Sequence, residues 1–170
     1  FRDSGLHLLD TSAPANPQRM AMWGGSEDGP LGDLYGLHVD WANGLAYVAG
    51  ATTTNGDPGL KVLRFDAAEG SASLDVEGHY QAANEFGDSL DVAVKDGYAY
   101  LSHVEGYGAM YQVAEVLTID IGGGNAGGSL QSPKLVSSRK FQGVAVRRLR
   151  VQGGMLYGGL HRGGVIAMQL

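Results

Sequence analysis

The 170-residue sequence predicts an all-β fold built from repeated four-stranded antiparallel units, and three observations carry that expectation. Short runs of β-branched and aromatic residues alternate with Gly, Asn and Asp, and no helix-period segment of useful length interrupts them. Glycine is used 28 times, mostly beside expected turns rather than in one block. One hairpin, DVAVKDGYAYLS from Asp91 to Ser102, recurs as LHVDWANGLAYVAG (Leu37 to Gly50) and LRVQGGMLYGG (Leu149 to Gly159).

The repeats define the units. Tyr47, Tyr100 and Tyr157 close the second strand of each copy and stand 53 and 57 residues apart. Each hairpin turns through a link that accepts positive φ: Ala42-Asn43-Gly44, Lys95-Asp96-Gly97 and Gln152-Gly153-Gly154. A further strand opens at Gly5 (GLHLLD), Gly59 (GLKVLRFD), Glu115 (EVLTIDI) and Gly164 (GVIAMQL). With the strands of a unit lettered A to D, residues 1–23 supply C and D, 35–81 and 89–142 each supply a full unit, and 147–170 supply A, B and C. A unit of this length with four antiparallel strands is what a β-propeller blade requires, and blades must stack to bury both faces. The duplicated C strand does not close a ring. The expectation is therefore a fragment of a larger ring of about six to eight blades, with the rest of the ring or neighbouring subunits completing it.

Composition narrows the partners. A net charge of −6 and a pI near 5.2 argue against nucleic acid or an anionic membrane. The absence of cysteine excludes disulfides, thiolate metal sites and a cysteine nucleophile. No apolar run reaches the roughly 18 residues of a membrane span, and no signal-peptide pattern is visible. The first residue, Phe1, suggests a mature product or a piece of something longer.

Antiparallel order puts the D-to-A and B-to-C links at one end, where loops on a rigid scaffold gather function. His38, His103 and His161 are expected there, from three successive units, and three imidazoles could hold copper or another borderline metal. Aligning the repeats on their hairpins puts His38, Asp91 and Arg148 at one equivalent position and matches His103 to Gly50 and Leu160, so no ligand position repeats. His7 and His79 read as ordinary surface residues.

Arg147, Arg148, Arg150 and Arg162 form the densest charge feature in an acidic chain. Arg148 beside Asp91 and His38 could bind a carboxylate or phosphate; pairing with Asp91, or solvation, is the plainer reading. Acidic loop pieces at Ser26-Glu27-Asp28, Asn55-Gly56-Asp57 and Glu85 with Asp88 offer oxygen ligands for calcium but lack a twelve-residue calcium-loop spacing. The link His103 to Ala114 carries Tyr107, Met110 and Tyr111, an aromatic contact surface for a protein or glycan or a cover for its own blade. The run Gly122 to Gly128 reads as flexible spacer. It lacks the setting of a nucleotide-binding loop, and no nucleophile elbow, HExxH or triad-like set appears.

The phrases DVAVKDGYAYLS, RDSGLHLLDTSAPANPQRM and EVLTIDI with SPKLVSSRKF resemble the LVIVD-repeat β-propellers over nearly the whole chain. The sequence departs from that pattern at Ala114 and Glu115, where the usual glycine is missing, and at Arg147 to Arg150, an unusually basic A strand. The resemblance implies the fold and an extracellular or periplasmic setting in the cell envelope; it transfers no catalytic motif. Three functions are consistent with these residues. The first is a non-catalytic binding or scaffold module that contacts a protein or surface ligand through the D–A and B–C loop face. The second is a propeller domain of a metal-dependent oxidoreductase with His38, His103 and His161 as ligands. The third is a structural subunit of a large envelope complex.

Overall fold

The computed structural model describes residues 5–24, 34–50, 58–68, 71–82, 87–105, 113–142, 144–161 and 163–170. Among them thirteen strands form four antiparallel sheets and no helix occurs. Among the described residues, therefore, no helix is long and apolar enough to cross a membrane. Strands β1 (Leu6–Asp10) and β2 (Gln18–Trp23) pair as a two-stranded sheet. The next sheet runs in sequence order through β3 (Leu34–Asp40), β4 (Leu45–Gly50), β5 (Gly59–Asp66) and β6 (Ser73–Gln81). A second four-stranded sheet follows with β7 (Gly87–Lys95), β8 (Tyr98–Glu105), β9 (Val113–Asp120) and β10 (Lys134–Gln142). Three strands complete the set: β11 (Val146–Gln152), β12 (Met155–Leu160) and β13 (Val165–Gln169).

The sheets stack face to face, and strand periodicity shows how. In β4, Leu45, Tyr47 and Ala49 enter the core shared with the β7–β10 sheet, while Ala46 and Val48 enter the core shared with Leu6 and Trp23 of the first sheet. In β8, Ala99 and Leu101 face one neighbour and Tyr100 and Val104 the other. Both faces being covered, these strands carry unbroken buried runs instead of an apolar–polar alternation. The last strand, β10, is exposed along nearly its whole length. At the other edge of its sheet, β7 lies beside both β3 and β11, so the first strands of three sheets run along one seam.

A β-bulge recurs at the start of each of these first strands, between Leu34 and Gly36, Ser89 and Asp91, and Val146 and Arg148. Register across the hairpins corrects the sequence alignment. Tyr47, Tyr100 and Tyr157 pair with His38, Ala93 and Arg150, which are the true equivalents. Asp91 and Arg148 are instead equivalent to Gly36, each lying opposite the residue two beyond the tyrosine. The cause is turn length. Asp96 and Gly97 both have positive φ, 50° and 76°, and form a two-residue turn, whereas the first hairpin turns through Trp41–Gly44. The longer turn shifts its first strand by two residues, a slip that keeps side-chain faces and so escapes a pattern of apolar alternation.

The glycine run after β9 is not a spacer. Asp120 is fully buried, and its carboxylate accepts four backbone N–H groups of that run. Gly122 and Gly124 donate to Oδ1 at 2.9 and 3.0 Å, and Ala126 and Gly128 to Oδ2 at 3.2 and 3.1 Å. Amide donors hold this carboxyl below the usual carboxylate range, the Gly122 N–H most strongly, against a smaller opposing effect of burial. Glycine is needed because the backbone passes so close: a Cβ at Gly128 would sit 2.1 Å from the Asp120 carbonyl oxygen.

Candidate functional site

Two groups of functional side chains emerge, at different places along the sheets. The first lies on the seam. Asp91 is buried, and its Oδ2 accepts the backbone N–H of Leu149 at 2.7 Å, tying β7 to β11. On its other side β3 presses in so tightly that a Cβ at Gly36 would lie 2.4 Å from the Asp91 Cα. Burial raises the Asp91 carboxyl above its ordinary value; the Leu149 N–H and the positive charge of Arg148 partly oppose this. His38 feels Asp40 and Asp91, yet burial prevails and keeps its imidazole below the ordinary value. Asp91 thus lies within charge range of both His38 and Arg148, although the three are not equivalent positions. The hydrogen bond of Asp91 goes to the Leu149 backbone, and the Arg148 side chain is exposed.

The second group runs across the β7–β10 sheet from the next rung of the β7–β8 ladder, toward its Gly87–Glu105 end. His103 belongs to β8 and Ala114 to β9, so these strands extend into the link that the sequence assigns to residues 103–114. His103 is 2% exposed; its Nδ1 is 3.2 Å from the Ser89 Oγ, and its Nε2 has no hydrogen-bond partner among the described residues. Cross-strand register sets Glu115 opposite His103. From β10, Lys140 reaches Glu115 at 2.6 Å and Glu105 at 3.4 Å, and these carboxylates raise its pKa. Burial depresses His103, with Glu115 and Glu105 opposing. A cleft of about 420 Å³ opens between Tyr80 of the preceding sheet and these side chains.

No family model matches the chain, and no curated protein matches it.

The three histidines considered as metal ligands do not share a place. His38 faces a cavity beside the β7–β8 turn, His103 is buried at the far end of β8, and His161 is exposed beyond β12 with its N–H on the Ala145 carbonyl at 2.8 Å. His38 therefore departs from the loop end where the sequence reading put it. No group of three or more metal-capable side chains forms among the described residues. Arg162, Tyr107 and Tyr111 lie outside the described residues, as do the acidic pieces apart from Asp88. His7 and His79 are exposed, as expected.

Sequence reasoning missed Ser89 and Lys140, which approach His103 and Glu115 only through strand pairing. Glu115 did carry a signal. It stands where the resembling pattern has glycine, and the structure puts it at the centre of the charged group.

Proposed function

We propose that the chain is a segment of an LVIVD-type β-propeller acting as a non-catalytic binding module in the cell envelope, extracellular or periplasmic. In this reading each sheet is a blade, and β3, β7 and β11 line the axis. The repeated bulge and the face-to-face stacking of the sheets support the propeller assignment.

One observation carries the binding assignment: the cleft bounded by Tyr80, His103, Glu105, Glu115 and Lys140 opens at the D–A and B–C end, beside the link that carries Tyr107 and Tyr111. Its groups are arranged to hold rather than to react. Lys140 pairs with both carboxylates and offsets one of their two charges, and the Ser89 hydroxyl beside His103 is fully buried, beyond the reach of a substrate. A partner protein or glycan would meet the Tyr80 ring and a lysine–glutamate rim, an aromatic contact with a polar border.

Metal analysis joined to a binding screen tests the assignment. Purified chain should carry no stoichiometric copper, iron, zinc or calcium, and saturable binding to a glycan or envelope protein should weaken at least tenfold in a Tyr107→Ala, Tyr111→Ala double variant. Stoichiometric metal that is lost on His103→Ala would replace this reading with the oxidoreductase one.

A further inference from the structure

At the other end of the stack, between the β3–β6 and β7–β10 sheets, lies a cavity of about 560 Å³. We propose that it is a binding site for a neutral, polyhydroxylated ring, a pyranose sugar either free or at the end of a glycan. The site is separate from the loop-face cleft, and the proposal does not depend on how that cleft is used.

Its construction follows from strand register. Asp40, Leu45 and Arg64 form one cross-strand row on β3, β4 and β5, and His38, Tyr47 and Val62 form the next row on the same face. That face packs against the neighbouring sheet, but its polar ends project past the packed core into the cavity. The facing wall is the tight β7–β8 turn, Lys95 to Gly97, and the start of the loop wrapped around Asp120. Both parts of that facing wall are fixed locally, the first by a two-residue hairpin turn and the second by the four amides on Asp120.

Two polar groups open onto the cavity. Tyr47 is 3% exposed and lines the cavity, yet among the described residues its hydroxyl makes no hydrogen bond. The His38 ring, 6.1 Å from the Tyr47 ring by centroid, likewise has no hydrogen-bond partner among them. The fixed charges cancel, and most already have partners. Asp40 is held by Asn43 at 2.7 Å, Arg64 by Glu77 at 2.9 Å, and Lys95 by Asp96 at 3.4 Å. An ionic ligand of either sign would meet a like charge without a free counter-charge. A hydroxyl, both donor and acceptor, can bond to each of these groups as it stands. Leu45, Val94, Ile121 and Leu130 add an apolar strip for the C–H face of a pyranose. The volume falls within the range of small-molecule sites.

The experiment is a titration of the 170-residue chain, followed by amide NMR, with methyl glucoside, methyl galactoside, N-acetylglucosamine and maltotriose, and with glucuronate and glucosamine as charged controls. Saturable shifts are expected at Asn43, Leu45, Gly97 and Gly122, with a dissociation constant on the order of millimolar for an open cleft. Tyr47→Phe, which keeps the packed ring, should weaken binding about tenfold. His38→Gln should weaken it less. Stronger binding by maltotriose than by the monosaccharides would mark a glycan end as the ligand, and equal binding a free sugar. No saturable shift at tens of millimolar, tighter binding of glucuronate or glucosamine than of the neutral sugars, or unchanged affinity in Tyr47→Phe would overturn the proposal.

Discussion

The Asp91 carboxylate and the Leu149 backbone N–H, 58 residues apart in sequence, meet at 2.7 Å inside the protein. This bond joins the first strands of two sheets, while Gly36 on a third sheet closes against the other side of the same aspartate. A single side chain thereby touches three sheets. The Ser102 hydroxyl repeats the device one strand further out, donating to the Val146 carbonyl.

Asp91→Ala leaves the buried Leu149 N–H unpaired, which costs about 1–3 kcal/mol. Thermal unfolding should register it as a fall in Tm of roughly 3–10 °C. Asp91→Asn, which keeps an acceptor, should lose less. Its cost should also depend on pH. Burial raises the carboxyl above 3.8, so the folded chain takes up this proton more readily than the unfolded one. The contribution of Asp91 is thus fully present below the unfolded pKa and declines as pH rises through the folded one. Relative to wild type, Asp91→Asn should gain stability as pH rises from the unfolded carboxyl value of 3.8; a difference that stays constant as pH rises would contradict the assignment.

Gly36 on β3 and Gly159 on β12 lie on corresponding rungs of their hairpins, Gly36 on the first strand and Gly159 on the second. A Cβ at Gly36 meets the Asp91 backbone at 2.4 Å, whereas at Gly159 it meets only the Arg148 Cβ at 3.9 Å. Gly36→Ala should therefore destabilise by about 1–3 kcal/mol. Gly159→Ala should stay within about 0.5 kcal/mol. Urea denaturation of the two variants checks the contrast, and equal effects would show that β3 and β7 do not approach so closely.

Asp120→Ala should free the Gly122–Gly128 loop without unfolding the sheets. Hydrogen exchange at Gly122, Gly124, Ala126 and Gly128 should accelerate by about tenfold or more, with the β8 amides unchanged. The titration runs opposite to that of Asp91. A carboxyl whose folded pKa is lowered contributes stability above its unfolded pKa and loses it as pH falls through the folded value. In the wild type these four amides should lose protection on acidification.

His103 supplies a different pH response. Burial lowers its pKa from 6.5, so the unfolded chain binds a proton that the folded chain refuses. Its stabilising effect is present above about pH 6.5 and is lost as pH falls below it. Melting curves between about pH 7 and pH 5 should show a steeper loss for wild type than for His103→Gln. His38→Gln should flatten the profile less, because that ring is only half-buried.

The residues alone determined the strands. Alternating apolar runs, Asp-Gly and Gly-Gly turns and the tyrosine repeat located the hairpins, because strand period and turn chemistry are local properties. They also implied stacking, since β4 and β8 have no polar face to give to water. Register across the longer first turn was beyond them. A shift of two residues leaves the side-chain faces unchanged, so His38 was aligned with Asp91 when Gly36 belongs there. The Gly122–Gly128 run read as spacer because composition cannot reveal that one buried carboxylate collects its amides. Only the tertiary structure decided which side chains meet: Asp91 with Leu149, Lys140 with Glu115, and the unpartnered Tyr47 at the mouth of a cavity. Those meetings depend on how four sheets pack, and packing brings together residues whose separation along the chain carries no local signal.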